Sequence, residues 1–446
     1  MRNISFMLLL GVAPGAFAQV DPANSRILAF VDEIAGKYRE LYIDLHRNPE
    51  LSLMEFNTAA KMADNLEALG FEVTRGVGGN GVVGVFQNGQ GKVIMLRTDM
   101  DALPVKETTG LPYASQAVFT DDSGTGVPVM HACGHDMHMT IWLGTLSTLV
   151  ELKEQWKGTI IAVAQPAEEI VAGAMDMIND GLFTRFPLPD YAFSYHVSAN
   201  MPAGTIGYYA GPVFAGARSV DMTIYGSGGH GAMPHNTIDP VVLASRIILN
   251  LQTIVSREID PVKPAVVTVG SIHGGTKHNI IPSEVKLQMT VRFFEDDIYD
   301  QIVEAIMRIS RGIAISAGLN EDQMPVVTFG GELTPPVDNN PELVFRSVKS
   351  MQGILGEKHV VQVDPIMGAE DFGRYGRTGE EIPVALFWVG GVNHDLYHDH
   401  LEKGAFLPPL HNSAFAPDFE FTFRGGVAAM SKTIIDILNE NTHPLE

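Results

Sequence analysis

Four short apolar runs, each leading into acidic residues or a histidine, constrain this chain more than any other feature. "KVIMLRTDMDALP" reads as a strand over Val93–Leu96 followed by Asp99 and Asp101, and "GTIIAVAQPAEE" as a strand over Thr159–Ala164 followed by Glu168 and Glu169. "YAFSYHV" reads as a strand ending at His196, and "VALFWVGG" as a strand over Val384–Val389 with His411 in the loop beyond. Strands that are apolar on both sides of the pleat are buried on both faces. The stretches between them, such as Asp136–Trp156, carry helical spacing. The pattern predicts an α/β fold, a mixed sheet with helices on both faces. Ligands of such sheets bind beyond the carboxyl ends of the strands, which is where these carboxylates and histidines gather.

A chain of 446 residues is long for a single core, and its middle has another rhythm. Strand Ser219–Tyr225, helix Pro240–Arg257, strands Ala265–Ser271 and Glu284–Phe293, helix Ile298–Ala317 and strand Pro325–Phe329 follow in order. That β-α-β-β-α-β sequence is the ferredoxin-like plan. It predicts a small α+β domain, residues 216–331, inserted into a discontinuous larger domain made of 19–215 and 332–446. Glycine and proline in "AGPVFAGA" and "GGELTPPVDNNP" mark the crossings.

The N-terminus reads as a secretory signal over 1–18. Arg2 gives a positive start, Ile4–Val12 is apolar and too short to span a bilayer, and Ala16-Phe17-Ala18 fits a cleavage site. The mature protein is therefore expected to be exported, to a periplasm or beyond the cell, with no membrane insertion once the signal is removed. A net charge of -22 argues against a nucleic-acid partner.

Export permits disulfides, yet Cys133 is the only cysteine. It stands in "MHACGHDMHM" as a buried filler, a reactive thiol or a metal ligand. Its neighbours favour the last. Cys133, His135, Glu169, His196 and His411 come from four places and offer thiolate, imidazole and carboxylate, a set suited to zinc or a similar transition metal. Five ligands exceed one tetrahedral site, so two metals sharing a bridge fit better. A helix start beyond Cys133 would favour its thiolate. Glu168, carried beside Glu169, is placed to act as general base.

Eight stretches in register carry a resemblance: "LHRNPELSLME", "RTDMDALP", "MHACGHDMHM", "QPAEE", "GSGGHGAMPH", "HNIIPSEVKLQMTVR", "MGAEDFGRY" and "LHNSAFAPDFE". Together the chain resembles the M20 metallopeptidase family in its aminoacylase and amidohydrolase branch, which includes hippurate hydrolases, indoleacetyl-amino-acid hydrolases and N-acyl-amino-acid carboxypeptidases. The resemblance implies a zinc-exopeptidase-like catalytic domain with a lid and dimerisation domain, in a homodimer or higher homo-oligomer. It implies two divalent ions per subunit (zinc, or manganese, cobalt or nickel) on the five ligands above, with Cys133 bridging and Glu168 as general base and acid. It makes Asp101 a carboxylate that orients a ligand histidine, His230 the oxyanion stabiliser, reached often from a partner subunit, and Asn279 and Arg292 the holders of a substrate carboxylate. Glu370 and Asp371 match a motif near the metals. The expected substrate is an N-acyl amino acid or short peptide; a dipeptidase or carboxypeptidase acting on true peptides, and a non-catalytic binding protein, are the alternatives.

Other residues read more plainly. His131 and His138 are expected in local hydrogen bonds, His46 packed or capping near the site, and His235 in a turn with Pro234. His394, His398 and His400 are expected in a solvated loop near the pocket mouth. Thr98 and Ser413 depart from the family pattern, which bears on acyl selectivity.

Overall fold

The computed structural model describes residues 22–120 and 124–440. The signal stretch 1–18 lies outside the described residues. In chain order the strands are β1 (Glu72–Val77), β2 (Gly81–Gln87), β3 (Val93–Asp99), β4 (Thr159–Gln165), β5 (Tyr191–Pro202) and β6 (Ile206–Tyr208). The chain then leaves for β7 (Gly216–Tyr225), β8 (Ala265–His273), β9 (Glu284–Phe293) and β10 (Val326–Thr334), and returns for β11 (Val360–Gln362) and β12 (Val384–Val392).

The large sheet runs β1-β2-β4-β3-β5-β12-β6-β11. Its four central strands β4, β3, β5 and β12 are parallel and its flanks antiparallel, apart from the parallel pair β6 and β11. It is the mixed sheet expected from the apolar runs. One face packs on α1 (Pro22–Arg47), α2 (Phe56–Ala68), α3 (His135–Glu151) and, further along the chain, a helix over Phe419–Asn439, with Tyr38, Trp142 and Phe423 in that core. The other carries α4 (Gly173–Asn179) and the turns around Phe372 and Tyr375. Every residue of α3 from His135 to Leu149 is buried, so its polar groups must find partners inside the protein.

The inserted unit is a four-stranded antiparallel sheet in the order β8-β9-β7-β10. Two helices, α5 (Pro240–Thr253) and α6 (Asp296–Ser316), cover one face. Asp239 caps α5 by accepting from the Val241 N–H, with Pro240 at the first helical position. In β9, Val285, Leu287, Met289, Val291 and Phe293 point to the helices. By the period of two, Thr290 and Arg292 face the other way, into the cleft between the two units. The final strand reaches Thr334, beyond the expected Phe329. The outgoing and returning chains lie side by side: Gly211–Phe214 pairs with Val337–Asn339, and Ala217 pairs with Thr334.

Strand β3 also runs further than its apolar run suggests, burying Arg97 and Asp99. The 394–400 histidines lie on a helix, His394–Lys403, and not in a loop, because Asn393 caps it through the Asp395 N–H. No helix among the described residues is long and apolar enough to cross a membrane.

Candidate metal centre

Gly134 sets the centre's geometry. It sits between Cys133 and His135 with φ +81°, a left-handed conformation that L side chains resist, and a Cβ there would stand 2.4 Å from Val197 Cγ1. The turn reverses the chain so that Cys133 and His135 converge just before α3.

The structure brings the five sequence-predicted ligands together. Cys133 Sγ lies 3.5 Å from His196 Nε2 and 3.2 Å from His411 Nε2. His411 Nε2 is 3.5 Å from Glu169 Oε2, and His135 Nε2 is 3.8 Å from Glu169 Oε1. His196 donates from Nδ1 to the Val197 carbonyl at 2.9 Å, which leaves the Nε2 lone pair aimed at the cluster. His135 Nε2 and Glu169 Oε1 are buried and make no hydrogen bond among the described residues. Buried polar atoms left this way are costly unless a further group satisfies them. A thiol, imidazoles and a carboxylate converging with free lone pairs fit divalent transition metals.

The charges agree. Burial opposes ionisation of His135, yet Asp99, Asp101 and Glu169 hold its pKa up at about 10. Burial raises Glu169 to about 7. Burial, then Glu169 and Glu168, push the Cys133 thiol well up. Among protein groups alone, burial and the neighbouring carboxylates thus oppose the thiolate form. Burial and the nearby Glu370, Glu169 and Asp371 raise Glu168 well above the carboxylate range. Its Oε2 lies 3.7 Å from His135 Nε2.

Asp101 stands where the orienting role requires. Its Oδ1 is 3.3 Å from His135 Nδ1, and its Oδ2 accepts from the Ser52 hydroxyl at 2.6 Å and the Glu169 N–H at 3.0 Å. His138 is accounted for twice over. Its Nε2 accepts from the Val197 N–H at 2.8 Å and its Nδ1 donates to Asp99 at 2.7 Å. His131 differs from expectation: it is buried, makes no hydrogen bond among the described residues, and burial lowers its pKa to about 4. His46 is held between Asp136 at 2.7 Å and Glu107 at 3.1 Å.

Arg97 was not singled out from the sequence. It donates to Gln165, Asp99, Glu370 and Asp371 at 2.7–3.0 Å and so supports the floor behind Glu168. A charged residue directly after an apolar run was the available signal. Arg292 lines the cleft of about 1010 Å³ that also holds Cys133, Glu168, Glu169, His196 and His411. His230 and Asn279 are exposed on a short ribbon of the small domain, outside that cleft lining. His235 lies in the turn Pro234–Asn236, as expected.

Residues 95–406 match the model of peptidase family M20/M25/M40. The chain belongs to this family. It is 35% identical over 402 residues to thermostable carboxypeptidase 2 of Saccharolobus solfataricus, covering 89% of this chain and 95% of that protein. It is 37% identical over 350 residues to hippurate hydrolase of Campylobacter jejuni, covering 76% and 85%. A Bacillus subtilis structure, a dinuclear metal binding peptidase from the M20 family, superimposes with a TM-score of 0.74 at 28% identity, covering 91% and 99%. Like other M20 members with a catalytic and a dimerisation domain, this protein is a metal-dependent amidohydrolase.

Proposed function

We propose that this M20 member is an exported hydrolase that cleaves the amide bond of N-acyl amino acids with a free carboxylate. The observation that carries the reading is the convergence of Cys133, His135, Glu169, His196 and His411 beside a buried Glu168, in a cleft shared with Arg292. These five side chains would hold two divalent ions (zinc, or manganese, cobalt or nickel), whose chemistry there would be Lewis acidity toward a carbonyl oxygen and a lowered pKa for water.

The chain's own residues do the rest. Glu168, whose proton affinity is raised by burial and then by Glu370, Glu169 and Asp371, accepts a proton from the attacking water and delivers it to the amine nitrogen as the C–N bond breaks. Asp101 fixes the ring of His135 so that its Nε2 faces the cluster. The Arg292 guanidinium binds the carboxylate of the departing amino acid. His230 and Asn279, exposed on their own chain, act in the cleft of a second copy, His230 donating to the oxyanion and Asn279 to the carboxylate. The small domain closes over the substrate and excludes water. Export rests on the N-terminal sequence alone.

Relatives with both carboxypeptidase and hippurate hydrolase names make true peptides the second reading. The test is a panel of hippurate-like N-acyl amino acids and dipeptides, with protein of measured metal content. Faster cleavage of the N-acyl compounds is expected. Faster cleavage of dipeptides selects the second reading, and cleavage of neither removes both.

A further inference from the structure

Of the five clustered side chains, His411 is the least held by its surroundings. The other four are buried or nearly so, whereas the His411 side chain is 54% exposed. Asp101 orients the ring of His135 through Nδ1, and the Val197 carbonyl does the same for His196. Nδ1 of His411 makes no hydrogen bond among the described residues. Its ring is therefore aimed by the backbone, which is left-handed there, φ +65°, in a stretch with neither helix nor strand over 404–418. That conformation is a small well for a residue with a side chain, so the loop needs ties to stay in it.

The His411 N–H donates to the Ala132 carbonyl at 2.8 Å. Two residues on, Ser413 is held twice by Thr108. The Thr108 N–H donates to the Ser413 carbonyl at 2.7 Å, and the two hydroxyls share a hydrogen bond at 2.8 Å. Thr108 is itself fixed. Glu107 accepts from the Thr109 hydroxyl and, at 2.5 Å, from the Ser115 N–H, which folds the 107–115 loop round one carboxylate. The same carboxylate lies 3.1 Å from His46, whose other ring nitrogen lies 2.7 Å from Asp136, the residue after His135. A continuous path of bonds thus runs from the His135 end of the cluster to the His411 end, and Thr108 with Ser413 is its last link.

Resting on the reading that the five side chains hold two divalent ions, we propose that Thr108 and Ser413 are positioning residues: their paired hydroxyls aim His411 and so set how firmly one of the two ions is held. Loss of the partners behind a metal ligand costs about 10–100-fold in affinity. Here the link acts through the loop and not on the ring, which places the loss at the lower end of that range. Neither residue lines the cleft. His135 and His196 keep their own partners, so the effect falls on the ion that His411 helps to hold and spares the other.

The test titrates zinc-loaded full-length protein with a chelator, dipicolinate, and measures the zinc left on the chain. Wild type is expected to release its two ions in separate steps. In Ser413→Ala and Thr108→Val, which remove one hydroxyl and leave the backbone bond, one step is expected at about tenfold lower chelator concentration, with the other unmoved. Thr108→Ser keeps a hydroxyl and is expected to release zinc as wild type does. The metal-free forms of all four proteins are expected to melt together, since the link lies at the surface. Both steps moving together, a Thr108→Ser variant that loses zinc as readily as Thr108→Val, or a metal-free variant that melts lower assigns these residues a general structural role and overturns the proposal. Two ions per wild-type chain with neither step moved in the variants removes the positioning alone, whereas a wild-type chain that binds no zinc removes the metal reading beneath it.

Discussion

His411 Nε2 stands 3.2 Å from Cys133 Sγ, although 278 residues separate them. Cys133 also reaches His196, so one sulfur touches histidines from two distant parts of the chain. Loss of partners in the layer behind a metal site costs about 10–100-fold in affinity or activity. If Cys133 is a ligand as proposed, Cys133→Ser is expected to lower bound metal and turnover together, the latter by about 100-fold or more. Elemental analysis beside a hydrolysis assay checks this; normal metal content with normal rate would return the cysteine to a packing role.

Glu168→Gln separates binding from chemistry. The amide keeps the size of the carboxyl group but cannot accept the proton. Turnover is expected to fall about 10²–10⁴-fold, with metal content and KM nearly unchanged. Full activity in this variant would sink the base assignment.

Gly134→Ala places a methyl 2.4 Å from Val197 Cγ1 in a left-handed residue. Strain and overpacking together are expected to cost about 2–4 kcal/mol. Because the flanking residues are Cys133 and His135, metal content is expected to fall with the melting temperature. A variant that melts and loads like wild type would show that the turn adapts.

The buried His46 links stability to pH. Burial disfavours its charge, but hydrogen bonds to Asp136 and Glu107 prevail and raise its pKa to about 9 from 6.5. The stabilisation, on the order of 3 kcal/mol, is complete below pH 6.5, where folded and unfolded chains are both protonated. It is lost as pH rises through about 9. Melting temperatures followed from pH 6 to 10 are expected to fall on the alkaline side, and His46→Gln to flatten that fall. Equal slopes for both proteins would assign the alkaline loss elsewhere.

The convergence of Cys133, His135, Glu169 and His196 was legible because each lies at the end of an apolar strand or at a helix start, while His411, in the loop between the helix His394–Lys403 and the helix Phe419–Asn439, was reached through the resemblance. The order of strands and helices in the small domain was legible through its alternation, as Val285 to Phe293 shows. Arg97 was not, because its meaning depends on Glu370 and Asp371, which lie 273 and 274 residues away. A charge at the end of an apolar run looks like the start of a loop until those partners are present. His230 and Asn279 were accessible only by motif resemblance, since no contact within one chain draws them to the cluster. The helix over His394–Lys403 was read as a loop because its polar sequence has no face that must be buried; none of its residues is.

The side-by-side crossing at Gly211–Phe214 and Val337–Asn339 also bears on how such a protein is assembled from parts. Excising the chain between those segments would leave two ends one strand spacing apart, a gap that a two-residue turn closes. The unit bearing Arg292 is thus joined to the unit bearing the Cys133 cluster as a loop extension, through a single ribbon. One half can be exchanged or lengthened while Cys133, His135, Glu168, Glu169, His196 and His411, all on the other half, stay in place.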